Sequence, residues 1–91
     1  MERTAVDVVV TGRVQGVYFR AAAEQQAALL GVTGWVTNEP DGSVHLHAEG
    51  YPDAVDQLVA WCHQGPSQAR VEDVEVTPAA DTGARAFEVR G

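Results

Sequence analysis

The chain has 91 residues, which suits one domain (1–91), and its apolar fraction of 45% fits a folded globule rather than a disordered segment. The formal charge is −7, and all six basic residues are arginine. That balance argues against a nucleic-acid binder or an anionic membrane surface as partner, but it leaves room for a small anionic ligand, because one or two arginines can dominate the field inside a cleft.

Residues 4–11 read as a strand. Val6, Val8 and Val10 alternate with Asp7, Val9 and Thr11, and β-branched residues favour the pleated conformation. The apolar run at Val8–Val10 is too short for a secretory signal and has Asp7 beside it. After a loop punctuated by Gly12 and Gly16, residues 19–30 carry Phe19, Ala22, Ala23, Ala27 and Leu30 at helical spacing, with Gly31 as the stop. Residues 32–38 and 43–50 form a hairpin around Glu39-Pro40-Asp41-Gly42. Its second strand should turn Val44, Leu46 and Ala48 inward and leave Ser43, His45, His47 and Glu49 on the other face, the histidines solvated.

Residues 52–64 read as a second helix, with Pro52 at its first position, Asp53 in its first turn and an apolar stripe of Val55, Leu58, Val59 and Cys62. Residues 70–77 form a strand in which Val71 is out of phase with Val74 and Val76, which calls for a bulge near Glu72-Asp73. Residues 85–90 make a last short strand. The order β-α-β-β-α-β predicts an α+β, ferredoxin-like sandwich: an antiparallel sheet with both helices on one face and an extra C-terminal strand.

Several residues invite chemistry and have plainer readings. Cys62 has no partner for a disulfide and fits a buried hydrophobe, in keeping with a reducing, cytoplasmic setting. His45 and His47 lie two apart on one strand, yet no third ligand is assigned, so no metal site is expected. Trp35 and Trp61 read as core.

The loop Gly12-Arg13-Val14-Gln15-Gly16-Val17-Tyr18-Phe19-Arg20 joins a strand to a helix. Such a loop can turn successive N–H groups inward as an anion cradle, with the helix N-terminus aimed at the same place. Arg20 falls in the first helical turn, the wrong end for a cation, which suggests a compensating anion. The glycines alone fit equally a tight turn beside a surface arginine, and no Lys-Ser/Thr follows to make a Walker loop.

Two longer strings decide more. Val10-x-Gly12-x-Val14-Gln15-Gly16-Val17-x-Phe19-Arg20, then Gly34-Trp35-Val36-Thr37-Asn38 with Gly42-x-Val44 and Gly50, resemble the two signatures of the acylphosphatase family. Thr37 departs from the longer or basic residue usual there. The resemblance covers the whole chain. It implies a metal-independent hydrolase of acyl phosphates with no cofactor, acting as a monomer, with inorganic phosphate as product and competitor. It further implies that Arg20 binds the phosphate, that Asn38 orients the water, and that the backbone of Gln15, Gly16, Val17, Tyr18 and Phe19 completes the phosphate-binding loop. Two rivals share the layout: an RNA-recognition module, disfavoured by the acidic charge and a first strand without aromatics, and a regulatory module that keeps the cradle without turnover.

Overall fold

The computed structural model describes residues 2–91. The elements follow the predicted order: β1 (Thr4–Arg13), α1 (Phe19–Leu30), β2 (Thr33–Asn38), β3 (Val44–Gly50), α2 (Pro52–Cys62), β4 (Arg70–Pro78) and β5 (Phe87–Arg90). Alanine carries α1, which ends where Gly31 takes the left-handed conformation at φ 73° and Val32 N–H donates to the Ala27 carbonyl. Pro52 opens α2 from an extended Tyr51.

The strands form one sheet in the order β4-β1-β3-β2-β5. β1 pairs antiparallel with β3 and β4, and β2 pairs antiparallel with β3. The expected bulge is present: Thr11 faces Asp73 and Gly12 faces Val71, so Glu72 is the extra residue. One feature departs from a wholly antiparallel sheet, because β5 lies parallel to β2. β2 runs opposite to β4, so a chain that leaves β4, crosses the end of the sheet and turns back must enter beside β2 in the same direction.

One face of the sheet carries Val8, Val10, Val36, Val44, Leu46 and Ala48, all buried. They pack against Phe19, Ala23 and Ala27 of α1 and Val55, Leu58 and Cys62 of α2. Trp61 joins this layer against Phe19, with ring centroids 5.2 Å apart. Burial pushes the Cys62 thiol up to about 12, so it behaves as a hydrophobe rather than a nucleophile.

The opposite face corrects the reading of solvated histidines. His45 is half-buried, but Ser43, His47 and Glu49 are buried, Glu49 completely. The alternation placed them on the right face; it carried no sign that residues 79–86 fold over it. Thr82 and Ala84 donate backbone N–H groups to the Glu49 carboxylate at 2.7 and 3.0 Å. Trp35 also lies on this face rather than in the helical core, stacked on His47.

Gly34 sits at φ 137°, and a Cβ there would stand 1.8 Å from the His47 carbonyl oxygen. Gly34→Ala should therefore cost roughly 3 kcal/mol or more in urea unfolding, combining a forbidden backbone region with a clash inside the ladder. A loss below about 1 kcal/mol would show that β2 and β3 are not held this closely.

Candidate active site

The loop between β1 and α1 is pinned by its own apolar side chains. Val14, Val17 and Phe19 are all buried in the core. Between them, Gly16 at φ 73° and Tyr18 at φ 64° turn the backbone through left-handed conformations. Among the described residues, the backbone N–H groups of Gln15, Gly16, Val17 and Tyr18 donate to no protein acceptor. Four consecutive free donors at the start of a helix are the raw material of an anion nest.

Of these four residues Gly16 and Tyr18 line a cavity of about 380 Å³, together with Val14, Phe19, Arg20, Asn38 and Val89. Arg20 enters from the first turn of α1, where neither an acidic residue nor a side-chain cap is present. Among the described residues it makes no ion pair, and its one side-chain hydrogen bond goes from Nη1 to the Arg90 carbonyl at 3.4 Å. A guanidinium with its fork uncommitted suits a tetrahedral oxyanion.

Asn38 arrives from the end of β2. It shares a register row with Val44 on β3 and Val10 on β1, so it continues the core-facing row to the cavity. Its side-chain Oδ1 is buried and, among the described residues, has no hydrogen-bond partner. A buried amide oxygen left unpaired costs about 1–3 kcal/mol, so it marks a place where a partner belongs. The hairpin turn does not use Asn38: Asp41 Oδ1 accepts from Ser43 N–H at 2.9 Å and from Ser43 Oγ at 2.6 Å. Thr37 lies in the row of His45, on the other face of the sheet, so its departure from the family pattern does not put a different side chain into the cavity.

Two features escape a sequence reading. The Gln15 side chain donates from Nε2 to the carbonyls of Glu39 and Ser43 at 2.8 and 2.9 Å, tying the loop to the hairpin that carries Asn38. Tyr18 adopts the left-handed conformation without being glycine and is 81% exposed. That conformation costs about 1–2 kcal/mol, and such strain gathers at functional sites. A glycine in a loop announces positive φ; a tyrosine does not.

The histidines lie elsewhere. His45 Nε2 is 3.5 Å from Asp7, His47 bridges Asp7 and Glu49, and no described group of three His, Cys, Asp or Glu is arranged to hold a metal ion. No described helix is long and apolar enough to cross a membrane.

A model of the acylphosphatase family matches residues 6–89. The chain belongs to the acylphosphatase family. It is 59% identical over 88 residues to an acylphosphatase from Nocardioides sp., covering 97% of this chain and 89% of that one. It superposes with TM-score 0.93 on an acylphosphatase from Coxiella burnetii at 39% identity, covering 97% of this chain and 93% of the other. An acylphosphatase from Bacillus subtilis gives the same TM-score at 33% identity, over 96% and 98% of the two chains. Membership makes this chain a hydrolase of acyl phosphates with a small-molecule substrate.

The Gln15 bridge generates a prediction that does not depend on chemistry. Gln15→Leu removes two hydrogen bonds and should cost about 1–3 kcal/mol in urea unfolding. Stability equal to the parent's would mean that the loop is not fastened to the hairpin by this side chain.

Proposed function

We propose that Arg20 and the N–H groups of Gln15 to Phe19 bind the phosphoryl group of the acyl phosphate, and that Asn38 holds the attacking water in line. The unpaired, buried Oδ1 of Asn38, a residue that lines the same cavity as Arg20, is the observation that carries this reading. An in-line displacement needs the phosphoryl oxygens fixed, their charge offset and the water aimed. The guanidinium offers two parallel N–H donors, and the free loop N–H groups supply the rest. The water oxygen forms a bond to phosphorus as the bond to the acyl oxygen breaks. The electron pair leaves with the carboxylate, and the proton released by water passes to a phosphoryl oxygen. A carboxylate is a weak base and departs without an acid. The protein's part is positioning and preorganised positive potential.

The two side chains should separate kinetically. Arg20→Lys keeps a charge but loses the fork, so KM and phosphate inhibition should both weaken strongly. Asn38→Ala should leave phosphate inhibition near the parent's while cutting kcat by about 10²–10³, or roughly 3–4 kcal/mol. The turn is fastened by Asp41 rather than Asn38, so the alanine variant should fold. A folded Asn38→Ala protein with parental kcat would assign the water to another group.

Because Arg20 and the loop N–H groups supply the positive potential, turnover of an acyl phosphate should persist in excess chelator. Activity lost on chelation and restored by one particular metal would overturn this mechanism.

A further inference from the structure

The face of the sheet away from the helices holds a charged cluster that the reaction leaves unused. Asp7 on β1, His47 on β3 and Trp35 on β2 stand directly opposite one another across three strands. His47 is 3% exposed. Its Nδ1 lies 2.8 Å from Asp7 Oδ1 and its Nε2 lies 2.6 Å from Glu49 Oε2. Ionised carboxylates only accept, and a neutral imidazole carries one N–H. The doubly protonated ring alone donates to both, so the geometry selects the imidazolium.

Glu49 fastens the covering segment. Besides His47, its carboxylate accepts from Thr82 N–H, Thr82 Oγ1 and Ala84 N–H, with Arg3 at 3.9 Å. The chain runs from Ala84 into β5. There the Arg90 guanidinium lies 4.4 Å from the Trp35 ring centroid. Trp35 stacks on His47 at 4.2 Å with an interplanar angle of 16°. β3 and β5 flank β2, so Trp35 is held between His47 and Arg90. The Arg90 carbonyl is the group that accepts from Arg20 Nη1.

We propose that cationic His47, clamped between Asp7 and Glu49, is a positioning residue that fixes β5 and thereby sets the pose of the Arg20 guanidinium before phosphate binds. The proposal rests on the reading that Arg20 binds the phosphoryl group. Two contacts transmit the effect: Glu49 holds residues 82–84, which lead into β5, and the His47–Trp35–Arg90 stack holds its end. Loss of the His47 proton removes one of the two carboxylate hydrogen bonds and weakens the stack, so β5 and Arg20 gain freedom.

The pH response follows from every charged group around the ring. Asp7 faces it from β1 and Glu49 from its own strand. His45 stands 3.5 Å from the same Asp7 oxygen. Arg3 approaches Glu49 and pairs with Asp81 of the covering segment at 3.0 Å. Arg90, paired with Glu88, lies beyond Trp35. Burial pulls His47 down, but the hydrogen bonds to Asp7 and Glu49 and their negative charges overcome it, leaving its pKa above the ordinary 6.5. Raised in the folded state, it contributes stability that is complete below about 6.5 and is lost as pH climbs through the folded value.

The test measures sulfate as a competitive inhibitor of acyl-phosphate turnover from pH 6 to 9, where sulfate's charge is constant, beside an NMR titration of His47. In the parent, sulfate inhibition and KM should weaken about three- to tenfold, the size of one cation–π or charge-assisted contact, with the NMR midpoint of His47, while kcat changes less. His47→Gln should show the weak value already at pH 6 with no midpoint. His45→Gln should keep the parental profile, and Trp35→Phe should bind sulfate more tightly than Trp35→Leu. A sulfate constant that stays flat while His47 titrates in the parent overturns the proposal even where variants fail to fold, as does a folded His47→Gln protein with the parental profile. Arg20→Lys is the control: if it leaves sulfate inhibition unchanged, the phosphate-site reading fails, and if it weakens sulfate while His47→Gln does not, only the positioning role fails.

Discussion

β3 is the strand from which both halves of the site are hung. Val44 pairs with Val10 on one side and with Asn38 on the other. Two strand spacings, roughly 10 Å, therefore separate the end of the β1 ladder from the amide that ends β2. Val10 leads into the loop that carries the free N–H donors, and Asn38 faces the same side of the sheet. A one-residue slip of β2 against β3 would send Asn38 to the outer face and bring Thr37 to the cavity. The core row of Val36, Leu46 and Val8 makes such a slip expensive, because it would also turn Val36 out to water. Gln15 then spans from the loop to the hairpin, so the distance set by the sheet is kept where no ladder runs.

Charge is partitioned by the sheet. The chain is acidic overall, at −7. Yet Arg20 stands at a helix N-terminus with no acidic residue in the first turn and, among the described residues, no carboxylate partner. A cation at the positive end of the helix dipole is locally unfavourable, and free N–H groups beside it add to the positive potential. That arrangement fits the phosphoryl site proposed for it. Buried Glu49 and half-buried Asp7 lie on the opposite face, where they are met by His47 and Arg3 rather than by Arg20.

Most of the fold is legible because each element carries its own period. The valines of β1 alternate, as do Val44, Leu46 and Ala48 of β3, the alanines of α1 recur at helical spacing, and the phase break at Val71 announces the bulge at Glu72. Arg20, Asn38 and the loop were visible as strings of residue types. What stayed hidden is long-range. Alternation says which face His47 and Glu49 share, but residues 79–86, which bury them, show no pattern that points to the sheet. Trp35 looked like core because size and apolarity say nothing about which layer a ring fills. The parallel pairing of β5 follows from the crossing of that same segment. The Gln15 side chain and the left-handed Tyr18 are facts of tertiary geometry with no signature in a single chain.

The proposed mechanism requires one phosphate site that unites the loop, Arg20 and Asn38. Titration of isotope-labelled protein with inorganic phosphate, followed through its amide NMR spectrum, addresses this directly. Saturating shifts with one binding constant are expected at the backbone amides of residues 15–18 and at the side-chain amide of Asn38. Shifts centred on the cleft that holds two arginines, formed by Arg13, Ser67, Gln68, Ala69 and Arg70, with the amides of 15–18 and Asn38 unmoved, would contradict it.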